Sequence, residues 1–137
     1  MTKRVLILCT GNSARSQMAE GLLRASAGNR FEVFSAGTRP GGVRPEAIAV
    51  MSELGIDLSS HRSKHVRQFD GQQFDYVITV CDNANESCPV FPVGTERIHW
   101  SVPDPAAVEG SETERLAAFR RVRDGLAETL RDFVRRT

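Results

Sequence analysis

Four short segments of the chain have the hydrophobic pattern of β-strands. Residues 5–8 form a continuous apolar run, which is typical of a strand that is buried on both faces. Residues 31–35 alternate between apolar and polar positions, and Gly37 and Pro40 bound them, which predicts a second strand. A third strand is predicted within residues 74–80, and a weaker fourth within residues 97–100.

Three other segments have apolar residues at helical spacing. The first lies between the first two predicted strands and ends near Gly28. The second begins at Pro45, a residue that suits the first turn of a helix, and Gly55 is its expected stop. The third is a long amphipathic helix, and Ser111 with Glu114 has the pattern of a capping box at its start.

This alternation of strands and helices predicts an α/β fold. We expect a single three-layer α/β/α domain over residues 1–137, with an open, mostly parallel sheet of four strands. Ligands of such sheets bind beyond the carboxyl ends of the strands, where the strand order reverses. Two of the three cysteines, Cys9 and Cys81, stand at predicted carboxyl ends of strands. These two thiols are therefore the first candidates for a functional site.

Composition and charge narrow the class of protein. Of the 137 residues, 40% are hydrophobic and 26% are charged, and the formal net charge is +1. This balance argues against nucleic acid as a partner, because such binders need a clear positive excess. The sequence has no apolar run of about 18 residues and starts with too few apolar residues for an export signal, so we expect a cytoplasmic monomer with no membrane partner. Three cysteines in a protein of this kind indicate chemistry more than disulfide scaffolding.

Residues 9–16 combine a thiol, a glycine and an arginine between a strand and a helix. A short loop that contains Gly11 can curl so that successive N–H groups face one point, and the helix N-terminus adds positive potential. Arg15 can hold two oxygens of a tetrahedral oxyanion with its planar guanidinium. The same potential favours a thiolate at Cys9, to which Ser16 can donate a hydrogen bond. The predicted oxyanion-binding residues are Thr10, Gly11, Asn12, Ser13, Ala14 and Arg15.

The segment that begins at Cys9, with the letters CTGNSARSQMAE, resembles the signature of arsenate reductases built on the low-molecular-weight tyrosine phosphatase fold. The resemblance extends over nearly the whole chain. It includes residues 35–37, 55–57, 80–89, 99–100, 104–105 and 119–124. Phosphatases share the loop, whereas the second pair of cysteines, Cys81 and Cys88, separates the two activities.

The resemblance implies that arsenate is the substrate, that phosphate competes with it, and that three thiols act in sequence. Cys9 is then the nucleophile that attacks As(V), and Cys81 attacks Cys9, which expels arsenite and leaves a disulfide. Cys88 attacks Cys81 in turn, and the new disulfide is reduced by thioredoxin as the electron donor, with no bound cofactor. Another small thiol system remains an alternative donor.

Asp104 is the candidate general acid of this site. It lies between Pro103 and Pro105, whose fixed φ angles restrict the loop and can hold the carboxyl group over an anion. Without the resemblance, an ordinary turn is an equally good interpretation of these three residues.

The resemblance also bears on metal binding. Some relatives bind potassium through residues that match Asn12, Glu20 and Ser35 together with an aspartate, and Lys64 stands at the matching position of that aspartate. We therefore predict no metal site. Two interpretations of Lys64 are open: its ammonium occupies the place of the cation, or it is a solvated surface residue.

Two other functions fit parts of the pattern. A low-molecular-weight phosphatase that hydrolyses aryl phosphate esters through a phosphocysteine at Cys9 would need Arg15 and Asp104, but neither Cys81 nor Cys88. Weak activity of this kind is expected even of a reductase, because the loop and the acid are shared. A module that only binds oxyanions would keep the loop, but it gives no reason for the second cysteine pair.

Overall fold

A computed structural model describes residues 2–81 and 94–137 of the chain. In these ranges four parallel strands form one sheet in the order β2-β1-β3-β4. The strands are β1 (Lys3–Cys9), β2 (Phe31–Gly37), β3 (Tyr76–Thr79) and β4 (Glu96–His99). The α-helices of the same ranges are α1 (Arg15–Ala27), α2 (Pro45–Ser52) and α3 (Glu112–Arg136), and 3₁₀ turns cover Val66–Phe69 and Pro105–Ala107.

The predicted α/β class and open sheet are confirmed, and the four strands are all parallel. The apolar run at residues 5–8 predicted a strand buried on both faces, and β1 lies in the interior of the sheet, where it pairs with both β2 and β3. Its residues Val5, Leu6, Ile7 and Leu8 are each 0% exposed. The third strand is shorter than predicted and covers Tyr76–Thr79 alone.

The sheet is covered on both faces. Phe133 of α3 packs on one face, with its ring centroid 5.5 Å from that of Phe31 and 5.1 Å from that of Tyr76, and α1 lies against α3. The other face carries Phe34, whose ring centroid lies 5.6 Å from that of Phe69 and 5.8 Å from that of Phe74. The core therefore extends on both sides of the sheet.

Helix α3 begins as predicted. The Ser111 hydroxyl accepts a hydrogen bond from the Glu114 N–H at 3.2 Å, and the Glu114 carboxylate accepts one from the Ser111 N–H at 3.3 Å, which confirms the capping box. Its buried apolar residues include Phe119, Leu126 and Leu130. Among the described residues, no helix combines the length and apolar character that crossing a bilayer requires.

The register of β1 and β3 decides which residues meet at the carboxyl edge of the sheet. Leu8 lies opposite Thr79, and the Val80 N–H donates to the Leu8 carbonyl at 2.9 Å. The residues that follow each strand, Thr10 on one side and Cys81 on the other, are consequently brought together. The fold thus places the two predicted thiol-bearing segments at one edge.

Candidate active site

The loop between β1 and α1 has its turn at Asn12. Asn12 has φ 46° and is the one non-glycine residue with positive φ among those that the structure describes. Gly11, which the sequence analysis placed in this loop, does not itself adopt positive φ. Asparagine tolerates the left-handed region when hydrogen bonds hold its side chain. Asn12 is 0% exposed, and both its side-chain oxygen and its side-chain nitrogen make hydrogen bonds.

The N-terminus of α1 lies directly behind this loop. Cys9 is the last residue of β1 and is 2% exposed, and Arg15 is the first residue of α1. Ala14, at the N-cap position, makes no side-chain capping hydrogen bond. The N–H groups of the first helical turn are therefore not taken by a side-chain cap, which suits the binding of an anion.

Hydrogen bonds fix the orientation of the Asn12 side chain. Its Oδ1 lies 2.9 Å from the main-chain nitrogen of Lys64 and 3.0 Å from Nε2 of Gln17. A main-chain N–H can only donate, so the side-chain oxygen Oδ1 of Asn12, and not its Nδ2, faces Lys64 and Gln17. Its Nδ2 then donates to the hydroxyl groups of Ser16 at 2.8 Å and Ser35 at 2.9 Å.

This orientation decides where the two serine protons go. Each hydroxyl already accepts from Asn12, so its own proton is available for another acceptor. Ser16 Oγ lies 2.9 Å from Cys9 Sγ, and Ser35 donates to Glu20 Oε1 at 2.5 Å. The Asn12 N–H also donates to Cys9 Sγ at 3.2 Å. The sulfur therefore faces two donors, which is an environment that stabilises a thiolate.

Glu20 closes the buried end of this network. It is 4% exposed, and its Oε2 pairs with Arg24 at 2.8 Å and lies 3.6 Å from Nδ1 of His61. His61 Nδ1 is also 3.0 Å from Gln17 Oε1. Burial lowers the pKa of His61 below its usual value, and the charge of Glu20 acts in the opposite direction. A neutral His61 with its proton on Nδ1 satisfies Gln17.

Lys64 lies beside the same network. Its ammonium group donates to the Arg62 carbonyl at 2.9 Å, and burial lowers its pKa from the usual range, while the charge of Glu20 raises it. The Lys64 side chain is half-buried. The hydrogen bond of its ammonium group goes to the Arg62 carbonyl, whereas Asn12, Ser35 and Glu20 bond to one another.

Arg15 connects the loop to Asp104. One nitrogen of its guanidinium donates to the Val102 carbonyl at 3.1 Å, and the other lies 3.9 Å from Asp104 Oδ2. Asp104 Oδ1 accepts from the Ala106 N–H at 3.0 Å, in the first turn of the 3₁₀ segment. The predicted acid and the predicted anion-binding arginine are therefore neighbours.

The second cysteine lies at the rim of the loop. Cys81 is buried, and its Sγ lies 3.1 Å from the hydroxyl of Thr10, the residue that follows Cys9. Cys9 is a buried thiol that takes part in no disulfide. Cys88, the third predicted thiol of the relay, lies outside the described residues.

The family of the chain follows from comparison with known proteins. The family model described as low molecular weight phosphotyrosine protein phosphatase matches residues 4–137. The chain belongs to this family. An arsenate reductase of Halalkalibacterium halodurans is 45% identical over 135 residues, which cover 98% of this chain and 97% of that protein.

Solved structures within the family have the same fold. An arsenate reductase in the phosphate binding state is 31% identical with a TM-score of 0.79, and each chain is covered to 98%. A thioredoxin-dependent arsenate reductase of Corynebacterium glutamicum is 27% identical with a TM-score of 0.73, over 99% of this chain and 64% of that one. A low molecular weight protein tyrosine phosphatase from T. tengcongensis is 26% identical with a TM-score of 0.80, over 99% and 100%. The family thus includes both reductases and phosphatases.

Sequence reasoning missed several residues that shape the loop. A Cβ atom on Gly37 would lie 2.5 Å from the Thr10 carbonyl oxygen and 2.9 Å from the Asn12 nitrogen, so only glycine fits there. Gln17 Nε2 and the Ser63 hydroxyl both donate to the Asn12 carbonyl, at 3.2 and 2.7 Å. Gly37 at the end of a strand was a visible signal, whereas nothing in the sequence indicates that Ser63 reaches the loop.

Within residues 2–81 and 94–137, no group of three or more His, Cys, Asp or Glu side chains is arranged to hold a metal ion. The site consists instead of hydroxyl, amide and thiol groups around a loop that presents N–H groups. This chemistry suits a bound oxyanion.

Proposed function

We propose that this protein reduces arsenate to arsenite through a relay of thiols, with thioredoxin as the electron donor. The observation that carries the proposal is the position of a second cysteine, Cys81, whose Sγ lies 3.1 Å from the hydroxyl of Thr10 in the anion loop. Hydrolysis of a phosphate ester uses one cysteine nucleophile and has no use for a second thiol there. Reduction of arsenic needs two electrons, which a pair of thiols can supply.

In the first step the oxyanion binds in the loop, and Arg15 holds two of its oxygens. The Cys9 thiolate, which faces the Ser16 hydroxyl and the Asn12 N–H, attacks arsenic and forms an S–As bond. One oxygen of arsenate leaves as water after it is protonated. Asp104, next to Arg15, is the proposed source of that proton.

In the second step the thiolate of Cys81 attacks the sulfur of Cys9. The S–As bond breaks, its electron pair stays on arsenic, and As(V) leaves as As(III) arsenite while a disulfide joins the two cysteines. Cys88 then attacks Cys81, which releases Cys9 and forms a second disulfide, and the two thiols of thioredoxin reduce it. The sum is arsenate plus reduced thioredoxin giving arsenite, water and oxidised thioredoxin.

The names of the relatives and of the solved neighbours support this proposal. Proteins called arsenate reductase match nearly the whole chain, and one solved neighbour is described as thioredoxin-dependent. Another neighbour is described in a phosphate binding state, which supports phosphate as the competing oxyanion. We further propose that the protein acts as a cytoplasmic monomer of one domain over residues 1–137, with no bound cofactor.

The proposal is tested by arsenate-dependent oxidation of NADPH in the presence of thioredoxin and thioredoxin reductase. Wild type should turn over, and Cys81→Ser should not, because its serine cannot form the disulfide. A Cys88→Ser variant should stop after about one arsenite per protein molecule, because its first disulfide is not passed on. Sustained turnover by either variant would contradict the relay.

The family also favours a second candidate, hydrolysis of aryl phosphate esters. Arg15 lies 3.9 Å from Asp104, and Ser16, the next residue after Arg15, lies 2.9 Å from Cys9 Sγ, which supports a shared phosphatase-like site. A phosphatase is also among the structural neighbours. We propose it as a weak side activity. Cleavage of p-nitrophenyl phosphate by wild type and Cys81→Ser alike, with no arsenate-dependent NADPH oxidation, would make it the principal activity.

A further inference from the structure

The carbonyl groups of the anion loop all have hydrogen-bond partners outside it. The carbonyls of residues 10, 11 and 13 accept from the N–H groups of Arg39, Gly41 and Arg44 at 2.8, 3.0 and 2.9 Å. The carbonyl of residue 12 accepts from Ser63, and that of residue 14 from the N–H of Met18 at 2.9 Å. Residues 39–44, here called the strap, thus supply most of the main-chain donors.

The partners of the carbonyls determine where the N–H groups point. In a trans peptide the C=O of one residue and the N–H of the next point in opposite directions. Carbonyls that are held outward at residues 10–14 therefore direct the N–H groups of residues 11–15 to the other side. The Asn12 N–H shows this directly, because it donates to Cys9 Sγ at 3.2 Å.

Both ends of the strap are attached to regular structure. At one end, Gly37 belongs to β2, and its N–H donates to the Lys64 carbonyl at 2.8 Å. At the other end, Arg44 is the N-cap residue of α2, and its carbonyl accepts from the Ile48 N–H at 3.2 Å. A segment held at both ends can impose an orientation on a loop that would otherwise be free to rotate its peptide planes.

We propose that the strap sets the oxyanion affinity of the active site, with the main-chain N–H groups of Arg39 and Gly41 as the positioning groups. They hold the peptide planes of residues 10–11 and 11–12 so that the N–H groups of Gly11 and Asn12 face the bound oxyanion. Neither group touches the substrate. The inference rests on the proposed function, because it concerns the same anion loop.

The test compares two pairs of variants that differ in the main-chain donor. Gly41→Pro removes the N–H that Gly41→Ala keeps, and a Cβ atom at this position meets nothing within 4 Å. Arg39→Pro and Arg39→Ala form a second pair, which both lack the guanidinium and differ in the N–H. The readout is the dissociation constant for inorganic phosphate, measured from the amide signals of Gly11 and Asn12 in an NMR titration.

The proposal predicts that each proline variant binds phosphate about three- to tenfold more weakly than its alanine partner, with altered amide shifts at Gly11 and Asn12 in the free protein. These shifts separate a change of peptide orientation from a general loss of stability. If the proline and alanine members of both pairs bind equally, the proposal is overturned. If a proline variant does not fold, an ester in place of the Gly41 amide, introduced by chemical ligation, removes the same donor and is judged by the same criterion.

Phosphate binding and arsenate reduction are measured independently, so the strap proposal and the proposed function can be contradicted separately. A wild-type protein that binds phosphate but does not reduce arsenate would contradict the proposed function while the comparison between variants still decides the role of the strap. A wild-type protein that does not bind phosphate at all would overturn the strap proposal itself.

Discussion

Two regions of the protein are dense in polar contacts, and they differ in burial. The loop network under the anion site consists of Asn12, Ser16, Gln17, Glu20 and Ser35, of which Glu20 is 4% exposed and the others 0%. The ion-pair cluster between α2 and α3 consists of Glu53, Arg120 and Arg123. Its Glu53 and Arg120 side chains are 41% and 40% exposed.

The difference in burial changes what the contacts can do. In the loop network each donor has a defined acceptor. Because water does not reach these buried groups, a group that loses its partner cannot bond to solvent instead, and the loss of one residue disturbs the others. In the ion-pair cluster, Glu53 accepts from Arg120 at 2.7 Å and from Arg123 at 2.8 Å. The Arg123 side chain is 10% exposed, but solvent reaches Glu53 and Arg120 and screens the pairs. The buried region specifies a geometry, and the exposed region adds a modest, pH-dependent contribution to stability.

The largest effect is expected from Asn12→Ala. The substitution removes the amide that orients Ser16 and Ser35 and strains a residue with φ 46°. We expect kcat/KM for arsenate to fall by about 100- to 1,000-fold, the scale of losing an oxyanion donor. Asn12→Gly, which removes the amide without the strain, should fall less. Equal losses in the two variants would mean that the backbone conformation is not important.

Gly37→Ala should displace the main chain of the anion loop at Thr10. The added Cβ atom would lie 2.5 Å from the Thr10 carbonyl oxygen, so the backbone must shift. We expect a loss of about 1–3 kcal/mol in the free energy of unfolding, measured by urea denaturation, together with weaker phosphate binding. Gly125→Ala is the matched control, since its Cβ atom meets nothing within 4 Å. Similar results for both variants would argue against the close approach.

Ser16→Ala tests the donor to Cys9 more narrowly. We expect the rate of Cys9 alkylation by iodoacetamide at neutral pH to fall about tenfold, because the thiolate loses one of its two donors. Ser26→Ala, in the same helix, should alkylate like wild type, since Ser26 bonds to the Leu23 carbonyl. An unchanged rate in Ser16→Ala would remove Ser16 from the activation of the nucleophile.

The smallest effect belongs to the exposed cluster. Hydrogen bonds from Arg120 and Arg123 lower the pKa of Glu53 from 4.5 to about 2. Because the pKa of Glu53 is lower in the folded protein than in the unfolded chain, its ionised carboxylate stabilises the fold at pH values above 4.5. This contribution is lost as the pH falls from 4.5 to about 2. Wild type should therefore be slightly more stable than Glu53→Gln at pH 7 and should lose that advantage in acid. A difference in urea midpoint that does not vary with pH would contradict this.

Sequence reasoning predicted the parts of the site that depend on local pattern. The strand, the thiol, the arginine and the helix of residues 9–16 follow one another along the chain, so their spacing was enough to predict an anion loop. Cys81 was predicted because it ends a strand, and parallel strands end at one edge.

What the sequence could not provide are contacts between distant segments. Ser63 donates to the main-chain carbonyl of Asn12 from 51 residues away. The strap reaches the loop carbonyls through main-chain N–H groups, which every residue type except proline possesses. The Asn12 side-chain amide likewise has two partners far away in sequence, Ser35 and Lys64, which local sequence pattern does not reveal.

The most direct test of the central claim is a single turnover without thioredoxin. Reduced Cys88→Ser protein is mixed with one equivalent of arsenate, and arsenite and the disulfide-linked peptides are quantified by mass spectrometry. The account predicts about one arsenite per protein and a disulfide between Cys9 and Cys81, because these two thiols supply both electrons. Absence of arsenite, or arsenite formed while Cys9 and Cys81 stay free thiols, would contradict it.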